Sequence, residues 1–224
     1  MKPPALPLFF AASVLTGLLA VTVLADKPAA PGAPNAETAL THLLDGNKRF
    51  VSGNPSRAIL SAQQWTELAK GQHPQAIILA CADSRLSPEI IFDQGLGDLF
   101  VIRNAGNLLD DHVIGSIEYA VEHLHVPLIV VLGHTQCGAV TAAVAGGEAP
   151  GHLKSIVESL SDAVAMAKKK PGDPVDNAVR INAKQEANTL TQTEPIVAEA
   201  VKTGSVKVVA ARYDIATGQV EFLK

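Results

Sequence analysis

Two uninterrupted apolar runs, 76–80 (Ala-Ile-Ile-Leu-Ala) and 128–132 (Leu-Ile-Val-Val-Leu), stand out from a chain whose other hydrophobic residues mostly recur with helical spacing. A short run without polar alternation predicts a strand covered on both faces, as in a parallel sheet. Leu99-Phe100-Val101-Ile102 and Val206–Tyr213 add two more strands, and Thr217-Gly218 allows a turn into Val220–Leu223. Helical patterns fill the intervals. One runs from Ala36 through Leu40, Leu43, Leu44 and Phe50 until Gly53-Asn54-Pro55 stops it, and a second patch lies around Gln63–Lys70. A short helix starts near Pro88. A longer one spans roughly 112–124 behind Asp110-Asp111, with a stripe of Ile114, Ile117, Val121 and Leu124. Further helices are expected from about Gly138, around 152–168 and 175–192, and over Pro195–Thr203. Strands alternating with helices predict an α/β fold with a mainly parallel sheet, whose ligands gather at the carboxyl ends of the strands.

The chain has 224 residues, 47% of them hydrophobic, which suits one well-packed domain. Its N-terminus departs from the globular pattern. Lys2 precedes an uncharged stretch from Pro3 to Ala25 that ends in the small-x-small pattern Val23-Leu24-Ala25. This predicts a secretory signal peptide over 1–25, with an uncleaved anchor as the alternative. A Pro/Ala-rich linker over 26–35 and a domain over 36–224 follow. Cleavage removes only Lys2 among charged side chains and leaves 17 basic against 22 acidic ones. The expected location is periplasmic or secreted, with no membrane attachment after cleavage. Aromatic residues are only 4% of the chain and no basic patch recurs, which argues against a nucleic-acid partner. Lys168-Lys169-Lys170 reads as a solvated helix end.

The only two cysteines follow the two apolar runs, in Cys81-x-Asp83-x-Arg85 and His134-x-x-Cys137. Two parallel strands would bring Cys81, His134 and Cys137 together, a donor set suited to one Zn2+ per chain. Three firm ligands leave a position for water, and zinc makes bound water a nucleophile at neutral pH. Asp83 could fill that position or accept a hydrogen bond from the bound hydroxide, and Arg85 is placed to hold it by a two-pronged pair. A salt bridge that only shapes the loop is the plainer alternative for Asp83 and Arg85. In an oxidising compartment a Cys81–Cys137 disulfide is the alternative for the cysteines. Gly133 and Gly138 flank the second motif and would let backbone approach it. His112, His123 and His125 are expected on a helix surface or end.

Cys81-x-Asp83-x-Arg85 together with His134-x-x-Cys137-Gly138 resembles the β-class carbonic anhydrases, here as an exported bacterial member. The likeness continues through 92–107 and 115–120 and covers roughly 37–224. The resemblance implies Cys81, His134 and Cys137 as zinc ligands, with Asp83 as exchangeable fourth ligand or hydroxide-orienting carboxylate and Arg85 as its partner. It implies a four-stranded parallel sheet with an added antiparallel strand, flanked by helices. It also implies a homodimer or homotetramer whose N-terminal helices wrap the partner subunit. The implied reaction is reversible hydration of CO2 to bicarbonate and a proton by zinc-bound hydroxide. Two alternatives stand beside it: a carbonyl sulfide or carbon disulfide hydrolase on the same zinc fold, and a non-catalytic metal-binding or disulfide-linked periplasmic module.

Overall fold

Each apolar run becomes a strand of a single sheet. The computed structural model describes residues 34–56 and 61–224, so the expected signal peptide and most of the linker lie outside the described residues. The strands are β1 (Ala76–Cys81), β2 (Leu99–Asn104), β3 (Leu128–His134), β4 (Lys207–Tyr213) and β5 (Val220–Leu223), in the order β2-β1-β3-β4-β5. The first four are parallel and β5 runs antiparallel to β4, as the resemblance implies. The chain leaves β1 towards β2 on one side and returns to β3 on the other. This reversal opens a crevice at the carboxyl ends of β1 and β3.

The continuous apolar runs are explained by cover on both faces. In β1, Ala76, Ile78 and Ala80 join one core cluster while Ile77 and Leu79 join the other; β3 divides its residues in the same alternation. The first face packs against α1 (Ala36–Val51), α5 (Gly138–Ala145), α7 (Ser161–Ala167) and the early turns of α8 (Pro174–Thr191). The second packs against α4 (Asp111–Leu124), α9 (Ile196–Thr203) and the later turns of α8. Each fully buried Ile or Leu of β1 and β3 contributes about 1.5–3 kcal/mol against leaving it in water.

Local chemistry sets the helix limits. Asn35, the last residue of the expected linker, caps α1 by accepting from the Thr38 amide. Asp110 caps α4 through the Val113 amide. Buried Asn47 anchors α1: its Nδ2 donates to the Ile91 and Gly218 carbonyls and its Oδ1 accepts from the Val220 amide. The helix expected around 152–168 is two helices, α6 (Leu153–Ser159) and α7, joined at fully buried Leu160. The Leu160 amide turns back to the Glu158 carbonyl and closes α6 before α7 begins. The two flanking glycines differ. A Cβ on Gly133 would stand 2.9 Å from Val179 Cγ1, so its bareness lets α8 cross β3, whereas the space around Gly138 is open.

Candidate metal centre

The crevice collects the motif residues. Cys81 ends β1, His134 ends β3, and Cys137 occupies the N-cap of α5, where the helix dipole favours an anionic sulfur. All three are buried, and their donor atoms lie within 4.8 Å of one another. Both cysteines are free, with Sγ atoms 3.9 Å apart. That separation excludes a disulfide, whose sulfurs sit at about 2.05 Å. It matches two sulfurs on a tetrahedral zinc, which bonds at about 2.3 Å and so spaces them at about 3.8 Å.

The protonation pattern points the same way. Cys81 is drawn down, first by its hydrogen bond with Cys137 and further by His134 and the Gly106 amide. The same shared bond and burial push Cys137 up. Two sulfurs this close, and able to share one hydrogen bond, make a site that a divalent cation fits. His134 Nδ1 lies 2.9 Å from the Thr135 carbonyl and donates to it, which turns the Nε2 lone pair inward. Nε2 is buried and, among the described residues, has no hydrogen-bond partner, an expensive arrangement for a polar atom unless it binds a metal. Thr135 is itself fixed from β4: its amide donates to the Tyr213 carbonyl, and its hydroxyl accepts from the Ile215 amide. The residues present therefore fit zinc.

Asp83 stands outside this group of three. Its Oδ1 accepts from Arg85 Nε at 2.9 Å and from the Arg85 amide at 3.0 Å, and its Oδ2 accepts from Arg85 Nη2 at 2.7 Å. The Arg85 guanidinium holds this carboxyl well below the usual carboxylate range. Arg85 also reaches Gln136, between His134 and Cys137, so one guanidinium touches both motif loops. All five residues singled out in the sequence thus meet at one place.

Four supporting residues were not legible as such. Arg103 donates to the Cys81 and Asp83 carbonyls at 3.0 and 2.6 Å and braces the first loop from β2. Gln136 adopts φ 56°, a left-handed conformation that bends the chain between His134 and Cys137. Gly106 offers its amide to Cys81 Sγ at 3.5 Å, and Asn182 of α8 holds the Gly106 carbonyl at 3.0 Å. Of these only Arg103 and Gly106 carried a signal, as members of the polar stretch that ends the third apolar run. His112 and His123 are exposed on α4, and His125 ends that helix at φ 54°.

Two cavities flank the sheet. One of about 430 Å3 is lined by Ala105, Gly138, Ala139, Ala142, Leu153 and Ile156 among other largely apolar groups; Gly138 follows Cys137 in the chain, but none of the three donors lines it. The larger, about 810 Å3, lies at the amino ends of β1 and β2 among His42, Arg49, Gln72, His73, Asp93 and Asp98, and includes none of the three donors.

Comparison with known proteins agrees with this geometry. Residues 76–220 match the carbonic anhydrase family. The chain is 42% identical over 189 residues to carbonic anhydrase 2 of Mycobacterium tuberculosis, covering 83% of this chain and 91% of that protein. It is 40% identical over 191 residues to the carbonic anhydrase of Mycolicibacterium smegmatis, covering 84% and 93%. Among solved structures, a tetrameric β-carbonic anhydrase of Sordaria macrospora superposes with a TM-score of 0.67 at 26% identity, covering 82% of this chain and 96% of that one. The chain belongs to the carbonic anhydrase family, and its fold and donor set place it in the β class.

Proposed function

We propose that this protein catalyses the reversible hydration of CO2 to bicarbonate and a proton, with one zinc ion held by Cys81, His134 and Cys137. The buried Cys–His–Cys group, with Nε2 of His134 aimed inward and otherwise unpartnered, carries this reading. Zinc bound there supplies a Lewis acid that lowers the pKa of water. The protein's part is orientation. Asp83 accepts a hydrogen bond from the reacting water and aims its lone pair at carbon, while Arg85 keeps Asp83 ionised and turned from the metal. The apolar cavity beside Gly138 suits a small nonpolar substrate. Stopped-flow CO2 hydration on the purified enzyme tests the reading. Activity is expected to disappear with a chelator and return with Zn2+. Hydration no faster than buffer by zinc-loaded protein would end the proposal, and faster sulfide release from carbonyl sulfide would favour the hydrolase alternative.

The proposal extends to assembly and location. Among the described residues β2 pairs only with β1 and leaves Leu99, Phe100, Val101 and Ile102 half-exposed at a sheet edge, a template for a second chain. A homodimer built on that edge is the proposed unit, and the Sordaria macrospora relative is described as tetrameric. The stretch 1–25 is proposed as a cleaved export signal, giving a periplasmic or secreted enzyme. Intact mass and sedimentation of the enzyme from an exporting host check both points: a chain starting at Asp26, and a particle of at least two chains. A full-length or monomeric product would overturn the corresponding part.

A further inference from the structure

Asn182 is a buried amide on a stretch of α8 that is otherwise apolar at this face, between Ala178, Val179 and Ala183. Burial of an amide is costly without a partner, and Nδ2 of Asn182 spends its hydrogen bond on the Gly106 carbonyl at 3.0 Å. Gly106 sits at φ 84° and points its own amide at Cys81 Sγ, 3.5 Å away. Glycine at positive φ has no side chain to fix its peptide planes, so their orientation must come from outside the residue. The surrounding turn is already tied. The Asn104 side chain accepts from the Leu108 amide at 2.8 Å and donates to the Leu108 carbonyl at 2.7 Å, and the Asn107 amide donates to the Asn104 carbonyl at 3.2 Å. The Gly106 carbonyl shares its peptide with that Asn107 amide, so this plane is held from two sides, by Asn182 and by Asn104, and the preceding peptide, joined to it through the glycine, points its N–H at sulfur.

We propose that Asn182 is a positioning residue of the metal centre: by holding the Gly106 carbonyl it aims the Gly106 N–H at Cys81 Sγ and sets how much charge that sulfur donates to the metal. The proposal rests on the zinc reading above. A hydrogen bond to a ligating thiolate withdraws electron density from it and leaves the metal a stronger Lewis acid. Loss of such an outer partner costs about 10–100-fold in metal affinity or activity.

The full folded protein loaded with 113Cd in place of zinc provides the test. In wild type, the Gly106 amide proton is expected to couple to cadmium through Cys81 Sγ. In Asn182→Leu, which keeps the volume but removes the donor, that coupling should vanish. Chelator competition should then show zinc held about 10–100-fold more weakly, and the acid limb of the hydration profile should move to higher pH. A wild-type protein that binds cadmium without this coupling overturns the proposal, and that measurement decides even if Asn182→Leu fails to fold. A folded variant that keeps wild-type coupling, zinc affinity and pH profile overturns it equally. Failure of wild type to take up zinc or cadmium is a different result, and sinks the zinc reading itself.

Discussion

Two Asp–Arg pairs, one in the loop after β1 and one on α1, are built differently. At the carboxyl end of β1, Asp83 takes two guanidinium bonds and a backbone amide, all from Arg85, two residues away in the same loop. After α3 (Pro88–Ile91), Asp93 is joined by Arg49 of α1 at 2.6 Å and by the amide and hydroxyl of Ser56, both at 2.8 Å. The Asp93 side chain is 0% exposed and its backbone sits at φ 48°. A carboxylate held by its near neighbour can exchange partners without moving the fold. A carboxylate that ties a helix end to two loops cannot. The residue types are the same in the two pairs; the chain separation of the donors and the depth of burial distinguish chemistry from architecture.

The same substitution at both positions tests that contrast. Asp83→Asn is expected to lower kcat/KM by roughly 10²–10³-fold, the scale of losing a positioned acid–base group. Zinc content per chain should be unchanged and stability should stay within about 1 kcal/mol, because the Arg85 side chain is 46% exposed and can be re-solvated. Since Arg85 holds Asp83 ionised far into acid, any loss of rate just below neutral pH is expected to come from a group other than this carboxylate. Asp93→Asn tolerates the left-handed backbone but loses the charge opposite Arg49. It should cost about 2 kcal/mol, or a Tm lower by roughly 4–8 °C, while activity per zinc-loaded folded chain stays within about threefold of wild type. Calorimetry and metal analysis beside the rate assay separate the two outcomes. A rate defect in Asp93→Asn equal to that of Asp83→Asn would break the comparison.

What the sequence disclosed and what it withheld follow the same physical line. β1 and β3 were legible because cover on both faces leaves unbroken apolar runs, and the three metal donors were legible because Cys81, His134 and Cys137 stand directly after those runs. The break at Leu160 was not, since a leucine buried between two helices leaves the hydrophobic period intact. Asn182 was not legible either: it is 76 residues from the Gly106 carbonyl it holds, and an asparagine in a helix carries no mark of its partner until α8 is laid across β3. Gly133 reveals its use only when α8 arrives, at 2.9 Å. Sequence pattern reports which residues must be covered and which carry chemistry; it does not report which backbone atom a buried amide will meet.

A third carboxylate sharpens the comparison by meeting no arginine among the described residues. Glu186 lies on α8 one turn beyond Asn182, and burial pushes its carboxyl up to about 7, opposed only by the Leu109 amide. The unfolded chain keeps the ordinary value of 4.5. The fold therefore favours the protonated form, so this side chain costs stability as pH rises from about 4.5 towards 7 and costs most above 7. The sign is opposite to that of Asp83, whose charge the fold favours. Glu186→Gln removes the charge and keeps the shape. Its Tm should exceed wild type by about 2–4 °C at pH 8, the equivalent of roughly 1 kcal/mol after solvent screening of a part-exposed group, and match wild type near pH 5. Thermal melts at the two pH values decide it. An Asp83-like carboxylate at this position would give a variant less stable than wild type at pH 8, and that result would mean that an unseen cation serves Glu186 as Arg85 serves Asp83.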